Sequence, residues 1–346
     1  MLKLVVNTLL LGLLGAASGV PIMHTLLGGE DQVRARIVGG EVATSFDHEF
    51  VVAIFKNGHF FCGGSLIEKD WVLTAAHCLE DTDPRDYAVS SWRHTLSTPI
   101  GERPPVYLRP GDDHSECADV VRVAEVIPHL GYDSTFVTND IALIRLERSV
   151  RCADRIPMAI IDRGEGRTGE TLTIAGWGAL YYGDFDETRG AVAPGVLHEA
   201  EIDRFAQGTC SELLCPLGSW GPPCHFTPGP QMCAGKLMGG VDACSGDSGG
   251  PLFRPPVPPN DRPTLVGITS WGYGCAEPAT PGVYTRVAYY RQWVLSHVGC
   301  NDAADCPPAP PPSPPSPPAP PLTLLSRLMG IFNLKSAPGD PVGPCG

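Results

Sequence analysis

Thirteen cysteines, at positions 62, 78, 117, 152, 210, 215, 224, 233, 244, 275, 300, 306 and 345, constrain this 346-residue chain more than any other feature. No two are spaced as CxxC, so the usual pattern of paired zinc ligands is missing. The N-terminus points to disulfides instead. Lys3 precedes a mostly apolar run over residues 4–14, followed by the small residues Gly15-Ala16-Ala17-Ser18-Gly19. This reads as a secretory signal over residues 1–18, with an apolar run too short for a membrane span, and no later stretch qualifies as one. A secreted chain folds in an oxidising compartment, where thiols pair. The odd count leaves at least one cysteine unpaired or paired between chains.

Composition divides the remainder. Residues 19–36 form a connector ending Val33-Arg34-Ala35-Arg36. Residues 37–300 hold all the tryptophans and most of the cysteines, and read as the folded body. A formal charge of −13 argues against nucleic acid or an anionic membrane as partner. Within the body, short apolar or β-branched runs at 50–55, 71–73, 120–127, 141–146, 171–175 and 265–270 alternate with Gly, Pro and Asp clusters. That spacing predicts an all-β sandwich or barrel. Apolar residues at 290, 293, 294 and 298 predict a helix near the end of the body. The tail, residues 301–346, carries 11 prolines within 307–321, which predicts a polyproline II rod of roughly 45 Å. Its Ser-Pro-Pro pattern resembles wall-protein spacers of plants and green algae. The tail reads either as a cell-wall tether or partner-docking spacer, or as a plain spacer. Residues 322–334 read as a short amphipathic helix or as unstructured tail.

Three islands carry the chemistry. Phe61-Cys62-Gly63-Gly64-Ser65-Leu66-Ile67 leads to Thr74-Ala75-Ala76-His77-Cys78. The second is Asn139-Asp140-Ile141-Ala142-Leu143, and the third runs from Asp242 to Pro251 through Cys244-Ser245-Gly246-Asp247-Ser248-Gly249-Gly250. A serine hydroxyl is a weak nucleophile until a base takes its proton. A histidine titrates near neutrality and can accept and return that proton, and a buried carboxylate holds the imidazole in the right tautomer. The glycines flanking Ser248 let the N–H groups of Gly246 and Ser248 face a developing oxyanion. The order His, Asp, Ser along the chain matches the chymotrypsin class of triad.

Together these motifs resemble a trypsin-like serine protease of the chymotrypsin family, over residues 37–300. The resemblance implies an all-β fold of two six-stranded antiparallel barrels with a C-terminal helix. It implies a serine-type endopeptidase with His77, Asp140 and Ser248 as catalytic residues, Gly246 and Ser248 as oxyanion hole, and neither cofactor nor metal. Ile37-Val38-Gly39-Gly40 resembles the family's mature N-terminus and Arg36 its activation site. Cutting there would free an ammonium at Ile37 to insert beside Asp247. Asp242 matches the floor of a pocket for Arg or Lys. Ala243, Ser270, Gly272 and Gly282 also match pocket positions, and Ala243 in place of the frequent serine tilts preference toward Arg. The implied partners are protein or peptide substrates and proteinaceous inhibitors. The alternative is a non-catalytic binding protein on the same fold.

The same resemblance implies disulfides Cys62–Cys78, Cys210–Cys233 and Cys244–Cys275. Cys215 with Cys224, Cys117 with Cys152, and Cys300 with Cys306 are the further expected pairs, leaving Cys345. A disulfide common in the family is missing at Leu172 and Arg254. The segments 80–118, 181–195 and 211–230 are enlarged, and 254–261 is a Pro-rich insertion. Asp112, Asp113 and Glu116 read as a solvated acidic loop in preference to a calcium site.

Overall fold

The structure is a computed structural model. It describes residues 37–96, 116–164, 166–179, 195–215, 224–258 and 261–299, and the backbone of 185–186 and 190–191. The signal segment, Arg36, Asp112, Asp113, Cys300, Cys306, Cys345 and the Pro-rich tail lie outside these residues.

Six strands form the first barrel: β1 (Val51–Lys56), β2 (His59–Glu68), β3 (Trp71–Thr74), β4 (Tyr87–Ser91), β5 (Asp119–Pro128) and β6 (Ala142–Leu146). Every pairing is antiparallel, in the order β1-β2-β3-β6-β5-β4, and β4 returns to β1 to close the ring. Closure satisfies the edges that an open sheet would expose. Val52, Ile54, Leu66, Val72, Leu73, Val89, Val121, Leu143 and Ile144 are buried. Each stabilises the fold by about 1.5–3 kcal/mol relative to an exposed side chain. Gly64 has a packing reason: a Cβ there would stand 2.7 Å from Cγ1 of Val72.

The second barrel comprises β7 (Thr171–Gly176), β8 (His198–Arg204), β9 (Gln231–Gly235), β10 (Pro251–Arg254), β11 (Thr264–Trp271) and β12 (Gly282–Arg286). It runs β8-β9-β12-β11-β10-β7 and closes through β7 on β8, again antiparallel. Its core gathers Leu172, Ile174, Ile202, Met232, Leu252, Val266 and Tyr284 together with Ile37. Strand alternation is plain in β8, where His198, Ala200 and Ile202 are buried between more exposed neighbours. Register shifts interrupt β1, β2, β5, β10 and β11, as curved barrel strands require.

Helix α1 (Gln207–Leu214) precedes β9 and α2 (Val287–Val298) follows β12. The predicted runs thus stand as β1, β3, β5, β6, β7 and β11, with ends moved by one or two residues, and the helix predicted over 289–298 starts two residues earlier. Helix α1 had no clear apolar period in the sequence. The disulfides Cys62–Cys78, Cys117–Cys152, Cys210–Cys233, Cys215–Cys224 and Cys244–Cys275 are formed. Leu172 and Arg254 carry no bridge; Arg254 Nε instead donates to Glu170 Oε1 at 2.5 Å.

Candidate active site

His77 sits on a short 3-10 turn, Ala76–Leu79, that follows β3 directly, and the Cys62–Cys78 disulfide ties this turn to β2. Asp140 precedes β6. The turn that aims it needs a positive φ at Asn139 (+53°), a conformation asparagine tolerates. Asn139 is held at both ends of its amide: it donates to the Gly131 carbonyl at 2.7 Å and accepts from the Tyr290 hydroxyl at 2.8 Å.

The two residues meet in a two-point contact. Nδ1 of His77 lies 2.8 Å from Oδ2 of Asp140, and the His77 backbone N–H donates to Oδ1 at 2.9 Å. Asp140 is fully buried, and the Ser270 hydroxyl donates to its Oδ2 at 2.5 Å. Burial alone would raise the Asp140 carboxyl. The His77 charge, the hydrogen bonds from His77 and Ser270, and the His77 N–H outweigh it, so the pKa is lowered. For His77, burial disfavours the imidazolium. The Asp140 charge and hydrogen bond, with a smaller contribution from the Glu80 charge, outweigh that and raise the pKa.

Ser248 lies between β9 and β10 on a loop held against the first barrel. Its carbonyl accepts from the Gly63 N–H at 2.8 Å. A Cβ on Gly63 would stand 3.0 Å from the Gly250 Cα, and one on Gly249 only 2.1 Å from Thr74 Oγ1. These glycines let two backbones approach across the barrel junction. Gly246 holds φ +95°, which a side chain rarely allows.

Asp247 points inward and is buried, accepting from the Gly178 N–H at 2.8 Å and the Cys244 N–H at 2.9 Å. Burial pushes its carboxyl up to about 6, against the pull of those two donors. The Gly176-Trp177-Gly178 motif exists to make room for it: Cβ atoms at 176 and 178 would lie 2.1 and 2.4 Å from Asp247 atoms. Nearby, Ile37 is buried in the second-barrel core, and the Val38 carbonyl accepts from the Asp242 N–H at 3.1 Å.

Beside Ser248 opens a cavity of about 140 Å³, lined by Ala243, Ser270, Trp271, Gly272 and Gly282 with Asp242. Asp242 is almost wholly buried, with Oδ1 bonded to the Ala243 N–H and Oδ2 to the Ala276 N–H. Burial pushes it up to about 7, opposed by these two N–H groups and reinforced by the Asp247 charge. A Cβ on Gly282 would meet Asp242 Oδ1 at 2.9 Å and the Tyr284 hydroxyl at 3.2 Å. All the pocket positions read from the sequence therefore line one cavity that reaches Ser248.

A family model described as Trypsin matches residues 37–294. The chain belongs to the trypsin family. Serine protease 56 of Mus musculus is 34% identical over 286 residues, covering 82% of this chain and 42% of that protein. Serine protease 56 of Homo sapiens is similar at 34%, with 40% of its length covered, so this chain spans less than half of these two relatives. Snake venom serine protease HS112 of Bothrops jararaca is 32% identical over 79% of this chain and 91% of its own length.

Several contacts of this trypsin-family site had no signal in the sequence. Ser270 was read as a pocket residue, yet its hydroxyl also binds the buried Asp140. It is the residue skipped by the β11–β12 register between Thr269 and Trp271. Thr285 Oγ1 donates to the Asp140 carbonyl at 2.6 Å. Gln231 Nε2 donates to the Val137 carbonyl at 2.9 Å, tying β9 to the loop before Asp140. Among the described residues, two groups of candidate metal-ligand atoms occur, around Cys62, His77 and Cys78 and around Glu116, Cys117 and Cys152. Both are built on cysteines already bonded to each other, and Glu116 accepts from Arg155.

Proposed function

We propose that this chain is a secreted serine endopeptidase, made as a zymogen, that cleaves after Arg or Lys with Arg preferred. One observation carries the reading: Ser248 borders the cavity that ends at the buried carboxylate of Asp242, and Ser270 of the same cavity donates to the Asp140 carboxylate that is bonded to His77. That chain of contacts supports reading Ser248 as nucleophile, His77 as its base and the cavity as the site for a cationic side chain.

In this reading Ser248 Oγ adds to the carbonyl carbon of the scissile bond while His77 takes the hydroxyl proton. The carbonyl oxygen becomes an oxyanion facing the N–H groups of Gly246 and Ser248. His77 then returns the proton to the departing amine nitrogen as the C–N bond breaks, leaving an acyl-serine. Water adds to that ester by the same route, His77 taking its proton and giving it to Ser248, and the acid is released. Asp140 holds the tautomer and stabilises the imidazolium. The substrate guanidinium neutralises Asp242, with Arg suited to two-point bonding.

The zymogen part has its own support. Ile37 holds φ +66° in the intact chain, unfavourable for a β-branched residue by about 1–2 kcal/mol. That torsion includes the carbonyl carbon of residue 36, so cutting after Arg36 abolishes it and supplies an ammonium for Asp247. Protein substrates and proteinaceous inhibitors are the partners this implies. Secretion rests on the signal over residues 1–18, with 19–36 as activation segment, 37–300 as protease domain and 301–346 as a tail suited to wall tethering.

The test is to cut the purified protein with trace trypsin, remove the trypsin, and follow matched peptides with Arg, Lys, Phe or Ala before the scissile bond. Arg and Lys peptides should be hydrolysed, Arg faster, and the Ser248→Ala protein should hydrolyse none. A folded protein with a free Ile37 that cleaves nothing would indicate a binding role for the fold.

A further inference from the structure

Just before β7, residues 167–170 form a turn, closed by the Glu170 N–H donating to the Arg167 carbonyl at 3.2 Å, with Gly169 at φ +76°. Two further bonds pin this turn to β8. The Gly169 N–H donates to the Arg204 carbonyl at 2.8 Å, and the Arg204 N–H donates to the Glu170 carbonyl at 2.9 Å. Between the turn and Arg254, at the end of β10, opens a cavity of about 530 Å³ lined by Arg167, Thr168, Gly169, Glu170 and Arg254. A Cβ on Gly169 would meet nothing within 4 Å, so the backbone is open there as well. Arg254 is one of the two positions at which the family disulfide is missing, so the cavity belongs to a part of the barrel where this chain departs from its relatives.

The charges around it do not balance. Arg254 Nε donates to Glu170 Oε1 at 2.5 Å, and its Nη1 lies 3.8 Å from Asp162 Oδ1. Arg204 Nη1 lies 4.0 Å from Glu170 Oε2, which also accepts from the Arg167 N–H at 3.2 Å. These two arginines offset the two carboxylates. The Arg167 guanidinium is surplus: it is exposed and, among the described residues, has no ion-pair partner. Arg204 Nη1 and Arg286 Nε are buried without a hydrogen-bond partner. Burial holds the Arg204 pKa down, against the Asp162 and Glu170 charges and together with those of Arg286 and Arg254. A chain of net charge −13 thus carries a local excess of cations beside an open cavity. We propose that this cavity binds a sulfate or phosphate ester, with Arg167 and Arg254 holding the oxyanion from two walls and Thr168 adding a hydroxyl donor. Two guanidinium forks and a hydroxyl suit a group with three acceptor oxygens better than a carboxylate with two. The cavity also exceeds the size of a bare anion, which leaves room for the molecule that carries the ester. The site is independent of the protease reading.

The experiment titrates the uncut full-length protein with the sulfate and phosphate monoesters of glucose, with inorganic sulfate and phosphate, and with glucose itself. Sodium chloride keeps the ionic strength constant, and binding is read by calorimetry and thermal melting. At least one ester should bind and raise Tm, more tightly than its inorganic anion, while glucose should do neither. The tighter of the two esters identifies the group. Arg167→Gln removes a side chain that has no ion-pair partner among the described residues, so it should keep the anion-free Tm. It should weaken the ester about tenfold, the scale of one charge-assisted contact. Arg167→Lys keeps the charge and loses the fork, so it should weaken the ester by less. An effect of every probe equal to that of chloride would overturn the proposal. So would binding of the inorganic anions with both esters excluded. Ester binding that both Arg167 variants leave unchanged would overturn it too, since the ester would then sit elsewhere.

Discussion

Asp242 shows how much a single buried carboxylate controls. Its folded pKa of about 7 lies above the ordinary value of about 3.9, so between these limits the folded chain holds a proton that the unfolded chain has lost. Stability therefore falls as pH rises through that window. Binding of a cation runs the other way, because only the ionised carboxylate attracts it. A small amidinium inhibitor should bind more tightly from about pH 5 to about pH 8 and then level off. Inhibition constants across that range check this, and Asp242→Asn should remove both the pH dependence and the proposed preference for Arg and Lys. Asp140→Asn should lower kcat by about four orders of magnitude, since the imidazole loses its tautomer and countercharge together. Gly178→Ala offers a steric counterpart: its Cβ would lie 2.4 Å from the Asp247 Cγ. It should lower kcat/KM at least tenfold and stability by about 1–3 kcal/mol, read by kinetics and thermal melting.

Among the elements, the disulfides differ in what they constrain. Cys117–Cys152 spans a separation of 35 residues and fastens the start of β5 to the turn after β6, whereas Cys215–Cys224 spans 9. Loop-closure entropy grows with the logarithm of length. Serine replacement of the 117–152 pair should therefore cost about 1 kcal/mol more than replacement of the 215–224 pair, within totals of about 2–4 kcal/mol. Denaturant midpoints of the two double variants measure the difference. The strands were largely legible because each is an apolar run bounded by Gly, Pro or Asp. Helix α1 was not, since Gly208, Thr209 and Cys210 in its first turn are weak helix formers and only Cys210 and Leu214 are buried. Tertiary packing of those two side chains overrides local preference there.

For the molecule as a whole, the proposed activation couples one peptide bond to the site. Among the described residues, Asp247 is buried without a cation as partner, its carboxylate accepting from two backbone N–H groups. An Ile37 ammonium beside it would lower the Asp247 pKa, and its own would rise above the ordinary value of about 8. The active form should then be present below that raised value and lost as pH passes it, giving an alkaline limb in kcat/KM. Blocking the Ile37 amine should abolish activity at every pH. Arg36→Gln should give a folded, inactive protein, with an unchanged circular dichroism spectrum and no hydrolysis after treatment with trace trypsin.

The candidate site divides along the same physical line. His77, Asp140, Ser248, Asp247 and Asp242 were readable because each sits in a local motif whose neighbours are demanded by short-range geometry: glycines where backbones cross, a cysteine that ties the turn, an asparagine at positive φ. The sequence also determined the strand runs and, through the family resemblance, the disulfides Cys62–Cys78, Cys210–Cys233 and Cys244–Cys275, whereas Cys117–Cys152 and Cys215–Cys224 were expected from position along the chain. What it left undetermined were the contacts that span the chain. Ser270 reaches Asp140 across 130 residues, Thr285 reaches it across 145, Gln231 reaches Val137 across 94, and Tyr132 reaches Glu80 across 52. Alternation along a strand states which side chains share a face, but only barrel closure, register and the bulge in β11 decide which atoms from distant strands meet.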